Sequence, residues 1–304
     1  MKSPLVSIVI NCFNSERFLN KALNSIYSQT YKNWEIIFWD NLSTDSSPNI
    51  AKSYDQKLKY YRATKNTNLG VARKKAIELA KGDYIAFLDC DDEWMPEKLE
   101  RQVNALEKNK NYDFSYTGVH YINEHNKIIL KYLPKAVSGN VFQYQLNKYE
   151  IGIQSVLIRN NIDMNFNQDL QFSPDYDLLM KIASKYRAFV IREYLIKYRV
   201  VSGSLTNQKI NLWWSEMKYT LDFIFEKNPK LVNTYSKERN KAYAKVNYLK
   251  AKMFFSENNK LEAIRILNKY KFVDFRYFFL FAISLFGKSV WNFVQNKINI
   301  HQRA

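Results

Sequence analysis

Short, continuous apolar runs alternate with helically spaced stripes over the first third of the chain, and this alternation limits the fold more than any other feature. The runs cover residues 5–10, 35–39, 58–61 and 84–88. Between them, Phe18, Leu19, Ala22, Leu23, Ile26 and Tyr27 form one stripe. Ala72, Ala76, Leu79 and Ala80 form another, with Gly82 placed to end that helix. Leu99, Val103 and Leu106 mark a third helix, begun by Pro96. Strands covered by helices on both faces are apolar throughout instead of alternating. The start of the chain therefore reads as α/β, with a mainly parallel sheet flanked by helices.

Residues 113–200 are more mixed. Strands are expected near 114–117, 153–158 and 194–200, and a helix over 175–184 carries Leu178, Leu179, Ile182 and Ala183 on one side. Past Thr206 the strand signals stop, and Trp213, Met217, Leu221 and Ile224 take up helical spacing, as do Leu249, Met253, Ile264 and Leu267. The division is an α/β domain over 1–205 and a helical region over 206–304. Residues 242–270 resemble a single tetratricopeptide-like helix pair. A chain of 304 residues, 46% hydrophobic, has the length for one sizeable core plus such an appendage.

The formal charge of +17 favours anionic partners such as nucleotide phosphates, nucleic acid or an acidic membrane face. Abundant surface lysine would give the same number. No RNP, helix-turn-helix or zinc-finger pattern accompanies the charge, so nucleic acid is not an expected partner. Cys12 and Cys90 are the only cysteines. Two do not make a disulfide framework, and no CxxC pair suggests zinc. The first apolar run is too short for a signal peptide, and a reducing cytoplasm is the expected compartment.

Ligands of open parallel sheets bind beyond the carboxyl ends of the strands. That rule selects Asn11 to Asn14 after the first run, Asp40 and Asn41 after the second, and Asp89 to Glu93 after the fourth. The last turn is the sharpest signal. Asp89, Asp91, Asp92 and Glu93 crowd together, and such carboxylates repel unless a cation or solvent separates them. Mg²⁺ and Mn²⁺ prefer oxygen ligands and often bridge to phosphates. Asp91 and Asp89 are the expected metal ligands, with Asp92 or Glu93 structural; helix capping near Pro96 is the competing role. Asp40 is placed to contact a ribose or base, unless it only heads the turn at Ser43, where Ser43 caps a helix. Arg73, in the first turns of a helix, is placed to reach phosphate or base. Phe13 is either core or a stacking platform.

In order and spacing these pieces resemble family 2 glycosyltransferases. The matching segments are Val6-Ser7-Ile8-Val9-Ile10-Asn11-Cys12-Phe13-Asn14, Trp39-Asp40-Asn41-Leu42-Ser43-Thr44-Asp45, Asn68-Leu69-Gly70-Val71-Ala72-Arg73 and Phe87-Leu88-Asp89-Cys90-Asp91-Asp92. The resemblance implies the GT-A fold and a nucleotide-sugar donor, UDP-linked, with a glycan or lipid-linked acceptor. Asn11, Phe13, Asp40 and Arg73 would line the nucleotide pocket. Asp89 would meet the sugar or ribose, and Asp91 would hold Mn²⁺ or Mg²⁺. Ser173-Pro174-Asp175-Tyr176-Asp177-Leu178 is similar to the family's Glu-Asp motif, with Pro174 in place of glutamate. Asp175, or alternatively Asp177, would be the general base of an inverting transfer in cell-surface polysaccharide synthesis.

The chain departs from the pattern in places. Asn11-Cys12-Phe13 replaces the usual Pro-Thr-Tyr, and Asn41-Leu42 the usual Asp-Gly, where leucine should resist a positive-φ turn. Residues 198–206 resemble the Arg-x-His segment, with Val201 where histidine is usual. His120, His125 and His301 read as surface or loop histidines. These departures leave a non-catalytic scaffold in a polysaccharide assembly complex as the alternative. A nucleotidyltransferase would need a Gly-rich phosphate loop, and residues 11–17 contain no glycine.

Near the end, residues 275–286 are strongly apolar but too short for a span of about 20 residues. Residues 260–304 hold eight Lys and Arg against two acids, with Tyr277, Phe278, Phe281, Phe286, Trp291 and Phe293 supplying aromatics. The stretch 275–294 is a candidate membrane-surface contact, which would make the protein peripheral at the inner face of the cell membrane. A buried helix or a dimer contact is the other reading.

Overall fold

A computed structural model describes residues 3–201 and 210–287, together with Val290, Trp291 and Val294. The described residues form two compact units. One holds the chain up to Phe142 and resumes at Glu150; the other joins Gln143–Tyr149 to the helices beyond residue 210.

The first unit opens as the apolar runs require. Strands β1 (Val6–Cys12), β2 (Trp34–Asp40), β3 (Leu58–Arg62) and β4 (Tyr84–Phe87) are parallel, in the order β3-β2-β1-β4. Helices α1 (Glu16–Tyr27), α2 (Ser47–Lys52) and α3 (Leu69–Ile77) connect them. Helix α1 buries Phe18, Leu19, Ala22, Leu23 and Ile26, the stripe expected from spacing. Of these, Leu19, Ala22, Leu23 and Ile26 meet Val6, Ile8, Ile10, Ile36 and Phe38 in the main core.

The sheet then turns mixed. A short strand β5 (Glu93–Trp94) leads to α4 (Lys98–Lys108), followed by β6 (Phe114–Ile122) and β7 (Ile128–Tyr132). Helix α5 (Phe142–Asn147) belongs, apart from Phe142, to the other unit, and a 3₁₀ turn at Ile153–Ser155, β8 (Leu157–Arg159), α6 (Pro174–Lys185) and β9 (Ala188–Arg199) complete the first. β8 runs antiparallel to β4 and β6, while β6 and β9 are parallel and β5 closes the edge antiparallel to β9.

Several local expectations are corrected. Helix α3 stops at Ile77, so Leu79 and Ala80 lie beyond it, and Gly82 does not cap it. Gly82 instead lets the chain graze β1, since a Cβ there would sit 2.6 Å from the Ser7 amide nitrogen. Helix α4 begins at Lys98, after a turn containing Pro96. The run 153–158 splits into a 3₁₀ turn and a three-residue strand. β5 and β7 were not legible: one is two residues long, and the other is an exposed edge.

The second unit is helical, with α7 (Trp213–Lys227), α8 (Pro229–Thr234), α9 (Ser236–Ser256), α10 (Lys260–Tyr270) and α11 (Phe275–Leu285). The turn between α9 and α10 is made by asparagines. Asn258 takes φ 62°, and the Asn259 side chain accepts the Glu262 amide to cap α10. Ala251, Phe255, Ala263, Leu267, Leu280, Ile283 and Trp291 form this unit's own core. Among the described residues, no helix is long and apolar enough to cross a membrane.

Candidate active site

Adjacent parallel strands end side by side, and their register brings the expected loops to one edge. Cys12 pairs with Asp40, and Asp40 with Arg62. β4 aligns Phe87 with Val9, and the Leu88 amide donates to the Val9 carbonyl, so Asp89 follows beside Asn11. The Cys90 thiol donates to the Asn11 carbonyl at 3.3 Å, tying the acidic turn to the first loop. Both cysteines are free and buried.

The acidic turn divides its carboxylates between two jobs, and Arg199 at the end of β9 makes the division. Its amide donates to Asp92 Oδ1 at 2.7 Å, and its Nη2 meets Glu93 Oε1 at 2.5 Å. Nε donates to the Asp91 carbonyl at 2.8 Å, and Nη1 to Asn126 Oδ1 at 2.5 Å. Asp92 and Glu93 are therefore both structural, where the sequence suggested one or the other. Neither caps α4, whose N-cap is Glu97 without a side-chain bond. Arg199 itself was not singled out as a site residue. The legible signal was an arginine in an apolar strand end, which must find partners if buried.

Asp92 is buried and Glu93 is paired with Arg199, while Asp89 and Asp91 stay partly exposed. Burial, and then the neighbouring Asp89 carboxylate, push the Asp91 pKa up to about 6. Burial also pushes Asp92 well above the ordinary carboxylate range, and its Oδ2 has no hydrogen-bond partner among the described residues. Concentrated negative charge of this kind fits a hard divalent cation. Among the described residues, no three acidic, histidine or cysteine side chains converge as a full ligand set. Asp89 and Asp91 are the two carboxylates that could hold an Mg²⁺ or Mn²⁺ ion in this turn.

Arg73 differs most from expectation. Its side chain is only 2% exposed and faces protein, not solvent. Nη2 donates to Asp89 Oδ1 at 2.6 Å, and Nη1 pairs with Asp175. One guanidinium thus joins the acidic turn to the N-terminus of α6. The approach depends on Gly70, where a Cβ would lie 2.5 Å from the Asn167 carbonyl oxygen and 3.4 Å from Pro174 Cβ. Asn68 caps α3 by accepting the Val71 amide at 2.9 Å, which fixes the turn presenting Arg73. Asp175 keeps 27% of its side chain exposed, whereas Asp177 is fully buried and pairs with Lys181 at 2.6 Å. Ser173, not Asp175, holds the N-cap position.

On the nucleotide side, Asp40 is closed off. Its Oδ1 accepts the Ser43 amide at 2.8 Å, and its Oδ2 accepts the Tyr60 hydroxyl at 2.5 Å and meets Arg62 at 3.2 Å. Asp40 holds the turn in this arrangement, a correction to direct contact with a ribose or base. Ser43 caps no helix; its hydroxyl accepts the Asn14 amide. Leu42 does take the left-handed conformation, with φ 73°, contrary to expectation. Phe13 is not core but 51% exposed, and the Asn11 side-chain nitrogen is buried without a hydrogen-bond partner among the described residues. His120 lies within β6, stacked on Tyr194 at 4.5 Å, and not in a loop. Of the segment 198–206, residues 202–206 lie outside the described residues, as does His301.

A model of the family described as glycosyl transferase family 2 matches residues 7–169, more than half of the chain. The chain belongs to glycosyltransferase family 2. The match contains Asn11, Asp40, Arg73, Asp89 and Asp91, and ends just before Asp175. An uncharacterised glycosyltransferase of Methanocaldococcus jannaschii is 32% identical over 209 residues, covering 66% of this chain and 72% of the relative. WfgD of Escherichia coli, named as a UDP-Glc:α-D-GlcNAc-diphosphoundecaprenol β-1,3-glucosyltransferase, is 30% identical over 235 residues, 75% of this chain and 89% of its own. The crystal structure of Staphylococcus aureus TarS 1–349 in complex with UDP-GlcNAc superposes with a TM-score of 0.67 at 15% identity. That match covers 97% of this chain and 92% of the TarS chain, and it establishes the GT-A-like fold of this family 2 member.

Proposed function

We propose that this family 2 glycosyltransferase moves a sugar from a UDP-linked donor to a hydroxyl of a glycan or lipid-linked acceptor, with inversion, in cell-surface polysaccharide synthesis. The observation that carries the reading is the chain of contacts from Asp89 through Arg73 to Asp175. It ties a partly exposed carboxylate to the acidic turn, which supports a base acting beside a diphosphate site. UDP-GlcNAc in the TarS complex, and the UDP-Glc donor and diphosphoundecaprenol acceptor in the name of WfgD, support the donor and acceptor classes.

In this reading Phe13 offers an aromatic face to the base, and the unpaired Asn11 amide nitrogen offers a donor. Asp175 removes the acceptor hydroxyl's proton as that oxygen bonds to the anomeric carbon and the bond to the diphosphate breaks. Asp177, buried against Lys181, is not available for the task. Asp89 and Asp91 would hold Mn²⁺ or Mg²⁺, which supplies neutralising charge for the leaving diphosphate. Arg73 positions Asp89 and Asp175, while Arg199 holds the acidic turn through Asp92, Glu93 and the Asp91 carbonyl. The site of action is the inner face of the cell membrane.

The test is turnover of a panel of radiolabelled sugar nucleotides with membranes as acceptor source, followed by the anomeric configuration of the product. Release of UDP with a β-linked product from an α-linked donor is expected, and Asp175→Asn should abolish it. A scaffold that retained only the fold would release no UDP above background, and a retained configuration would remove the single-displacement mechanism.

A further inference from the structure

Helix α11 is apolar except at Arg276 and Ser284, and among the described residues only one of its sides is covered. Leu280 and Ile283 join the core of the helical unit, with Tyr277 and Phe281 packed against it. The other side presents Phe275, Phe278, Phe279 and Leu285, spaced i, i+3, i+4 and onward along one face. Phe275 is 79% exposed and Phe286, just beyond the helix, 76%. Phe272 is 81% exposed and stacks on Phe278 with ring centroids 6.4 Å apart, widening the patch. Trp291, counted in the sequence among the interfacial aromatics, is instead buried against Phe255 at 4.3 Å. Lys288, Ser289, Asn292 and Phe293 of the stretch 275–294 lie outside the described residues.

A contiguous aromatic patch of this kind is a contact surface and not ordinary exposure. Its rim is cationic. Lys271 Nζ sits 4.9 Å from the rings of both Phe272 and Phe281, and Lys260 Nζ donates to the Leu285 carbonyl at 3.1 Å. Between residues 260 and 287, five basic residues face two acids, Glu262 and Asp274, and Asp274 is already paired with Arg276. A second copy of the chain would set this rim against an identical one, since a two-fold interface pairs like with like. Anionic headgroups complement it, and the acyl boundary accepts the phenylalanines. The helix has 11 residues, a length of about 16 Å at the α-helical rise, half a bilayer core.

We propose that the exposed face of α11, extended by Phe272 and Phe286, docks in the interface of a membrane containing anionic lipid. The helix lies along the surface and does not cross. This docking stands apart from the transfer chemistry, so neither depends on the other.

The experiment is co-sedimentation of the full chain with sucrose-loaded vesicles. Vesicles of phosphatidylcholine alone are compared with vesicles containing about 30% phosphatidylglycerol. Binding to the anionic vesicles is expected, with a loss of about tenfold in the bound-to-free ratio for Phe275→Ser/Phe279→Ser/Phe286→Ser. A second variant, Lys271→Glu, retains every phenylalanine of the face and should also weaken anionic binding, which keeps the test decisive if the triple variant misfolds. Wild-type protein that ignores both vesicles would overturn the proposal. So would wild-type binding unchanged in both variants, or self-association abolished by the serine variant without any vesicle binding.

Discussion

Arg73 donates to Asp89 at 2.6 Å from a side chain that is almost wholly buried, and its other terminal nitrogen is taken by Asp175. A lysine's compact ammonium lacks the planar fork whose separate nitrogens reach the two carboxylates here. Removing the guanidinium leaves both acids without their shared counter-charge and frees each to drift. Arg73→Met is expected to lower kcat by about 100-fold, the usual consequence of misplacing a catalytic group by an ångström. Arg73→Lys should recover only part of it. Steady-state kinetics with circular dichroism on both variants checks this; full activity in Arg73→Met would contradict it.

Gly70 admits the Asn167 carbonyl and Pro174, and so sets how near α6 comes to α3. Gly70→Ala puts a methyl into backbone at 2.5 Å. A loss of about 1–3 kcal/mol in stability is expected from the forced shift. Turnover should fall with it, because Asp175 retreats from Arg73. Urea unfolding and kinetics on the same preparation read both; an alanine variant of wild-type stability would contradict the close approach.

How much of this was legible in the sequence follows from which contacts are local. Each strand-end loop could be placed because its apolar run and following stripe are contiguous in sequence. Arg73 and Arg199 were legible as residues but not in their roles, because their partners are remote: Asp175 for one, Asp92 and Glu93 for the other. Asp40 was read from its position at a strand end, but its closure by Tyr60 arises only when β2 and β3 pair. Leu42 shows the limit of a residue-preference argument. The turn is imposed by the Asp40–Ser43 bond and by Asn41, whose side chain grips Thr67, so leucine adopts φ 73° regardless.

That backbone gives a stability prediction. A non-glycine residue in the left-handed region costs about 1–2 kcal/mol, part of which glycine returns through its freer unfolded state. Leu42→Gly is expected to be neutral or stabilising by up to about 1 kcal/mol in chemical unfolding. A clear destabilisation would mean that the leucine side chain contributes more than its conformation costs.

Lys98 is fully buried without a carboxylate, its Nζ donating to Gln102 at 2.7 Å and lying 4.0 Å from the Trp94 ring. Burial holds its pKa well below the ordinary 10.5. The unfolded chain therefore binds a proton that the folded one gives up, and stability rises with pH between the folded value and 10.5. Lys98→Met should remove that rise, so that the difference in unfolding free energy between variant and wild type changes with pH across this window. Parallel curves over the same range would contradict a depressed lysine.

The turn at Asp89 and Asp91 is expected to bind a divalent cation together with the donor's diphosphate. Calorimetric titration of UDP into the protein, with and without Mn²⁺, tests it on wild type and Asp91→Asn. Metal-dependent binding by wild type is expected, weakened at least about tenfold in the variant, whose turn has lost one of the two carboxylate ligands. Equal UDP affinity in both proteins, or affinity indifferent to Mn²⁺, would contradict it.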